Sequence, residues 1–146
     1  MAERQTQIFK CPVCDTVVEV LESCGLELVC CGPEMIPLRE KICSHDDPHA
    51  ISVEKTGQKV RVRVGKGLHD MEEDHQIIWI ELNANGRCYR QFLSAGQTPE
   101  AMFVVDGGNI TARAYCNAHG LFRNVDSGTN LKVKHERAAV SDLIAV

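Results

Sequence analysis

Four cysteines near the start of the chain limit what this part can fold into. Cys11 and Cys14 form a Cys-x-x-Cys pair, and the adjacent Cys30 and Cys31 follow after fifteen intervening residues. Units below about 40 residues bury too little apolar surface to fold alone and usually need a metal, a disulfide or a partner chain. Four thiolates close a tetrahedral metal site. We therefore expect a metal-stapled domain over residues 1–37, with a structural zinc knuckle as an open alternative to a redox metal.

The adjacency of Cys30 and Cys31 also predicts the local backbone. Neighbouring side chains on a regular strand point to opposite faces, so both thiolates reach one ion only where the chain turns. Gly32 follows directly, and glycine relaxes such a turn because it tolerates a positive φ. We expect a turn at this point and a distorted tetrahedron.

The cysteine content and the charge of the whole chain restrict its class. Eight cysteines occur in 146 residues, and five of them lie in the first 31. The N-terminus is polar, and no apolar run reaches the roughly 18 residues of a membrane span. We therefore expect a cytoplasmic protein whose cysteines serve metal or redox chemistry rather than disulfides. The formal net charge of −4 argues against a nucleic acid or a membrane as partner.

From residue 49 the sequence has the pattern of β-strands. Residues 59–64 alternate between charged side chains and three valines, as a half-buried strand does, and residues 76–82 are apolar on both faces. Strands at this spacing, separated by turns, indicate an all-β protein with an immunoglobulin-like antiparallel β-sandwich. The predicted domains are the metal-stapled domain at 1–37, a linker at 38–46, the sandwich at 47–123 and a C-terminal extension at 124–146. The extension is expected to form a short helix or an added strand, for packing or dimer contact.

Five possible metal ligands occur in the loops of the predicted sandwich. Taken alone, a Cys-x-x-His pair is more often an ordinary core cysteine beside a surface histidine. Together, one thiolate and four imidazoles converging from three loops make a square pyramid with an open sixth position, which suits a reactive iron better than structural zinc. The predicted ligands are His49, His69, His75, Cys116 and His119. Cys43 and His45 lie in the linker, where we interpret them as incidental.

Both parts of the chain resemble known families. Cys11-Pro12-Val13-Cys14 with Cys30-Cys31-Gly32 resembles desulforedoxin, a small module that holds one iron in four cysteines. The segments 69–75 and 78–82, the turn at 99–101, and residues 114–122 resemble superoxide reductase. The whole arrangement, over residues 8–123, is similar to the desulfoferrodoxin family, the two-iron form of superoxide reductase.

This resemblance implies a function and a set of partners. It implies two iron ions per chain, one held by four cysteines and the other by four histidines and one cysteine, with Cys116 as the axial thiolate. The reaction implied is the one-electron reduction of superoxide to hydrogen peroxide without formation of dioxygen. A rubredoxin-like protein or a reductase would supply the electron, and the chain would form a homodimer. The alternatives are a non-catalytic electron-transfer protein and a zinc-stapled binding module.

The sequence departs from the family pattern just before the first histidine ligand. There the pattern has Glu-Lys, in which the glutamate caps oxidised iron and the lysine attracts superoxide, but this chain has Asp47-Pro48. Aspartate is one methylene shorter, and proline carries no charge. We predict that Lys66, in the loop near His69, partly replaces the missing cation, with Lys55 or Lys59 as weaker candidates.

Overall fold

The computed structural model describes residues 5–23, 25 and 27–125, together with the backbone of residues 132–133. Every regular element in these residues is a β-strand, which confirms the predicted all-β class. The described part of the chain contains no helix long and apolar enough to cross a membrane. The chain divides into two compact units at the junction between Arg39 and Glu40. Cys24 and most of the predicted C-terminal extension lie outside the described residues.

The smaller unit is a three-stranded antiparallel sheet. Its strands are β1 (Gln7–Lys10), β2 (Val17–Val20) and β3 (Ile36–Pro37), in the order β2-β1-β3. Among the residues of this unit that the structure describes, the buried apolar side chains are Ile8, Cys11 and Met35. So few buried side chains offset little of the entropy of ordering the chain, and the unit therefore needs a further cross-link.

The larger unit is a sandwich of two four-stranded sheets. The strands are β4 (Ile51–Thr56), β5 (Lys59–Val64), β6 (Ile77–Ala84), β7 (Arg87–Phe92), β8 (Glu100–Val104), β9 (Ile110–Cys116), β10 (Gly120–Arg123) and β11 (Lys132–Val133). One sheet has the order β10-β9-β6-β7 and the other β11-β4-β5-β8. Neighbouring strands are antiparallel, except that β11 runs parallel to β4.

The core lies between the two sheets. Val60, Val62 and Val64 of β5 are fully buried, as their alternation with charged residues predicts, and they belong to one cluster with Ile80 and Leu82 of β6. Every residue of β6 except Ile78 is buried, as expected of a central strand. The sequence pattern therefore describes both kinds of strand correctly.

The ends of five strands meet at one edge of the sandwich. The start of β4 lies opposite the end of β5 through the pair Ile51 and Val64. Cys116, at the end of β9, lies opposite both the start of β6 at Ile77 and the start of β10 at Gly120. The loops that carry the predicted ligands leave from these ends, so the topology places them at one edge.

The start of the larger unit is tied to the sandwich. The backbone N–H of Lys41 donates to the carbonyl of Leu121 at 3.0 Å, and the N–H of Arg123 donates to the carbonyl of Lys41 at 2.9 Å. Glu40 accepts a hydrogen bond from the buried Arg113 at 2.9 Å. These two residues of the predicted linker are therefore fixed against β10 and β9.

Candidate metal centres

The four cysteines of the small unit come together as one group. Their sulfur atoms all lie within 4.8 Å of one another. The sulfur of Cys30 is 3.7 Å from that of Cys14 and 3.8 Å from that of Cys31. Four sulfurs bound tetrahedrally about 2.3 Å from one ion lie about 3.8 Å apart, so the spacing fits a single metal ion.

The backbone around these cysteines turns as the sequence predicts. Cys31 has a φ of 58°, in the left-handed region that side chains rarely adopt, and Gly32 follows with a φ of 103°. On the other side of the group, the N–H groups of Val13 and Cys14 point at the sulfur of Cys11, at 3.4 and 3.5 Å.

The thiols of this group do not lose their protons at the same pH. A hydrogen bond from Thr16 lowers the pKa of Cys14 to about 6. The neighbouring sulfurs of Cys11 and Cys14 raise the pKa of Cys30 to about 12. Four thiolates this close together repel one another, so full ionisation at neutral pH needs a cation between them.

The second group lies at the edge of the sandwich where the strand ends meet, and its four imidazole rings form a square. Neighbouring ring centroids are 4.6–4.9 Å apart on all four sides, and the diagonal from His49 to His75 is 6.4 Å. The diagonal exceeds the sides by nearly the ratio expected of a square. In order around the square the corners are His49, His69, His75 and His119.

Cys116 supplies the fifth ligand of this group. Its side chain is fully buried at the end of β9, and its sulfur lies 3.7 Å from Nδ1 of His119. Ligand atoms of His49, His75, Cys116 and His119 all lie within 4.8 Å of one another. The ring of His69 completes the square from the loop after β5.

Three of the imidazoles have a buried nitrogen with no hydrogen-bond partner in the described structure. These atoms are the Nε2 nitrogens of His49, His69 and His75. A buried polar atom without a partner costs free energy, and a metal ion shared by three such nitrogens removes that cost. The group therefore fits a metal ion by its own chemistry.

The other nitrogen of each of these rings faces an oxygen atom. Nδ1 of His69 lies 2.6 Å from the carbonyl of Asp70, and Nδ1 of His75 lies 3.8 Å from the carboxylate of the same residue. Nδ1 of His49 lies 3.4 Å from Oδ1 of Asp47. An acceptor at Nδ1 holds the proton there and leaves the lone pair of Nε2 for a metal.

Burial favours the ligating form of two of the histidines. It is the largest cause of the lowered pKa of His49 and of His69, and neighbouring imidazoles lower both further. A neutral imidazole is the form that binds a metal. His49 is also held by Phe122, whose ring stacks on it at 4.3 Å between centroids and 5° between planes.

The structure places the remaining predicted residues outside the square. Oδ1 of Asp47 accepts a hydrogen bond from the backbone N–H of His49 at 2.8 Å. Lys66 forms an ion pair with Asp46 at 2.9 Å, and both side chains are largely exposed. Lys55 and Lys59 flank the β4–β5 turn, at the end of these strands opposite to His49. Cys43 and His45 belong to neither metal-binding group.

Two residues near the second group were not singled out from the sequence. Asn117 joins the loops on either side of Cys116 and His75 through two hydrogen bonds with Gln76. Its position between the ligands Cys116 and His119 could have identified it from the sequence. Lys41 donates from Nζ to the carbonyl of His119 at 2.7 Å. No local pattern predicts that contact, because 78 residues separate the two positions.

The fold and the two groups define an all-β metalloprotein with a four-cysteine centre in one unit and a four-histidine, one-cysteine centre in the other. The desulfoferrodoxin family model matches residues 46–125, and the model of the desulfoferrodoxin N-terminal domain matches residues 3–38. The chain belongs to the desulfoferrodoxin family. Membership and the two ligand groups together confirm the predicted pair of iron sites, one in each unit.

Individual relatives match over most of their length. The chain is 46% identical to desulfoferrodoxin from Syntrophotalea carbinolica, over 84% of this chain and 97% of that protein. It is 45% identical to desulfoferrodoxin from Desulfarculus baarsii, over 82% and 95%. Among solved structures, the superoxide reductase from Treponema pallidum superposes with a TM-score of 0.68 at 22% identity, over 84% of this chain and 99% of that one. This last similarity establishes the fold.

Proposed function

We propose that this protein is a superoxide reductase that acts at the four-histidine, one-cysteine centre. The observation that carries the proposal is the square of imidazoles, three of which present a buried, unpartnered Nε2, with Cys116 as a fifth ligand. Membership of the desulfoferrodoxin family supports the same activity.

The ligand set suits the chemistry of this reaction. When bound, ferrous iron supplies one electron, which with two protons converts superoxide to hydrogen peroxide and leaves the iron ferric until a donor returns the electron. The neutral imidazoles would hold the ion without adding negative charge, which favours the approach of an anion. The thiolate of Cys116 would donate electron density to it.

Asp47 and Lys66 have separate proposed roles around this centre. Asp47 acts through His49, because its carboxylate accepts from the backbone N–H of His49 and faces Nδ1 of the same residue. We assign it the role of orienting this ligand. Lys66 contributes positive charge near the centre, but its ion pair with Asp46 reduces the field that it exerts at a distance.

The four-cysteine centre has a proposed role in folding. The small unit buries few apolar side chains, so binding of the metal to four thiolates supplies a large part of its folding free energy. Exposed apolar side chains on the same unit support a homodimer formed through it, namely Val13, Leu21, Val29 and Ile36. Five of the eight cysteines belong to the two ligand groups, and this use of thiols for metal sites supports a reducing, cytoplasmic location. A rubredoxin-like protein or a reductase is the proposed electron donor.

The replacement Cys116→Ser tests the assignment of the reaction to this centre. The iron-loaded, reduced protein is mixed rapidly with superoxide, and the decay of superoxide is followed. We expect fast second-order decay for the parent and a large loss of rate for Cys116→Ser, because a serine hydroxyl is a much weaker electron donor than a thiolate. The matched control is Cys14→Ser, which alters the four-cysteine centre and is expected to keep the fast decay. Equal rates for the parent and Cys116→Ser would contradict the proposal.

A further inference from the structure

Lys41 contacts one corner of the imidazole square directly, at His119, and reaches a second, His49, through Phe122. Its Nζ donates to the backbone carbonyl of His119 at 2.7 Å. The same ammonium lies 5.2 Å from the centroid of the Phe122 ring, and that ring stacks on His49. A cation above an aromatic ring is attracted by the negative face of the ring, so Lys41 is held at this position by two favourable contacts.

The backbone also fixes Lys41 at this edge. A bridge pairs it with Phe122, and its N–H and carbonyl are both bonded to β10, to Leu121 and Arg123. Gly120 has no side chain, and a Cβ built there would lie 3.6 Å from Nζ of Lys41. The ammonium therefore has a defined place beside His119 while the residue stays exposed to solvent.

The acidic residues around the centre make the positive charge of Lys41 important for the approach of an anion. Four acidic residues lie in the segment from His69 to His75, and two more precede His49; they are Asp70, Glu72, Glu73, Asp74, Asp46 and Asp47. These carboxylates disfavour the approach of any anion. Lys66 is paired with one of them. Within the described part of the chain, no carboxylate lies within ion-pair distance of Lys41, so its charge is not locally neutralised.

We propose that Lys41 is the cation that attracts anions to the histidine–cysteine centre of this chain. Pro48, which directly precedes the ligand His49, carries no charge for this role. The proposal rests on the proposed function for the identity of its anion, superoxide. Lys41 acts through its electric field and by holding the carbonyl of His119, without bonding to the metal. It is therefore a positioning and steering residue, with Lys66 as a weaker contributor.

Three variants separate the charge of Lys41 from its hydrogen bond. Lys41→Gln keeps an N–H donor for the carbonyl of His119 and removes the charge. Lys41→Arg keeps the charge. Lys59→Gln is the matched control, because it removes an exposed lysine at the end of β5 opposite to the one that meets the centre. Iron content is measured for each variant, and Lys41→Met, which keeps the aliphatic stem over Phe122, replaces Lys41→Gln if that variant loses iron.

The first readout is the second-order rate constant with superoxide at increasing ionic strength. We expect Lys41→Gln to lower this constant roughly two- to fourfold at low salt, with the difference vanishing at high salt, because salt screens a single exposed charge. Lys41→Arg and Lys59→Gln should stay near the parent. A salt dependence of Lys41→Gln equal to that of the parent would overturn the proposal, as would an equal or larger effect in Lys59→Gln.

The second readout does not depend on the proposed reaction. Inorganic azide is titrated into the ferric protein, and its affinity is read from the visible spectrum. Lys41→Gln should weaken azide binding roughly two- to fourfold at low salt, and Lys41→Arg should not. If the parent failed to consume superoxide, the proposed function would fail while the azide titration still decided the role of Lys41. Unchanged azide affinity in Lys41→Gln would refute that role.

Discussion

Asn117 and Gln76 each donate one hydrogen bond to the other. The side-chain Oδ1 of Asn117 accepts from the backbone N–H of Gln76 at 2.9 Å, and the N–H of Asn117 donates to the carbonyl of Gln76 at 3.1 Å. Gln76 follows His75, and Asn117 follows Cys116. The pair therefore fixes the distance between a histidine ligand and the thiolate ligand, although neither residue binds the metal.

The replacement Asn117→Ala should loosen this connection. It leaves the backbone N–H of Gln76, which is partly buried, without its acceptor, and we expect a loss of about 1–2 kcal/mol in the free energy of unfolding. The visible spectrum of the histidine–cysteine centre should shift as well. Asn117→Asp is the control, because it keeps an acceptor oxygen at the same place. An unfolding midpoint equal to the parent's for Asn117→Ala would contradict this role.

The stacking of Phe122 on His49 predicts an effect that is specific to the metal centre. Phe122→Leu removes the stacked ring, and Phe103→Leu removes a similarly buried ring from the same core. Both changes should destabilise the sandwich by about 1–3 kcal/mol. We expect the Phe122 variant alone to lose iron faster to a chelator, since His49 is then freer to rotate. Equal rates of iron loss from the two variants would show that the stacking is only structural.

The buried ion pair between Glu81 and Arg113 should be essential for the stability of the sandwich. Both side chains are 1% exposed, and the guanidinium also donates to Glu40. Removing Glu81 takes away the buried partner of this guanidinium and leaves it with Glu40, whose side chain is partly exposed. Glu81→Leu should therefore cost about 3–5 kcal/mol in urea unfolding. The double variant Glu81→Leu/Arg113→Met should recover a large part of this loss. A double variant less stable than Glu81→Leu would argue against the interpretation.

The stability of the iron-free protein should fall as the pH decreases from 7 to 5. Burial lowers the pKa of His49 and His69 below their ordinary value of 6.5. In this window the unfolded chain therefore binds more protons than the folded chain, and protonation favours unfolding. The contribution of these residues is fully present above the unfolded pKa and is lost below it. Urea unfolding followed by the fluorescence of Trp79, the single tryptophan, measures this effect.

Two variants make that pH experiment specific. His49→Gln/His69→Gln should reduce the dependence on pH, because the buried imidazoles are gone. His45→Gln removes an exposed histidine outside the square and should leave the dependence unchanged. A stability that rises as the pH falls, or an equal dependence in the parent and the double variant, would show that burial of these imidazoles does not control it.

The sequence predicts those features that local pattern determines. The alternation of Val60, Val62 and Val64 predicts the inward face of β5, and the adjacency of Cys30 and Cys31 predicts the turn that the left-handed φ of Cys31 produces. The sequence pattern does not show which partner the end of a long side chain contacts. Lys66 is close in sequence to His69, but its ammonium is paired with Asp46.

Contacts between distant segments were beyond prediction from a single sequence. Lys41 lies in a stretch that reads as a polar linker, and its position beside His119 depends on pairing with β10. Asp47 likewise has a defined role only once its carboxylate is seen at the backbone of His49. In both cases the tertiary fold, and not the local pattern, sets the direction of the side chain.

The yield of hydrogen peroxide per superoxide consumed tests the central claim most directly. The reduced, iron-loaded protein is mixed with superoxide under anaerobic conditions, and hydrogen peroxide and dioxygen are both measured. A reductase yields one hydrogen peroxide for each superoxide and no dioxygen, and this is the result that we predict. Dioxygen formed in equal amount to hydrogen peroxide would identify a dismutation, and no acceleration of superoxide loss would identify a non-catalytic electron carrier; either result would contradict the proposed function.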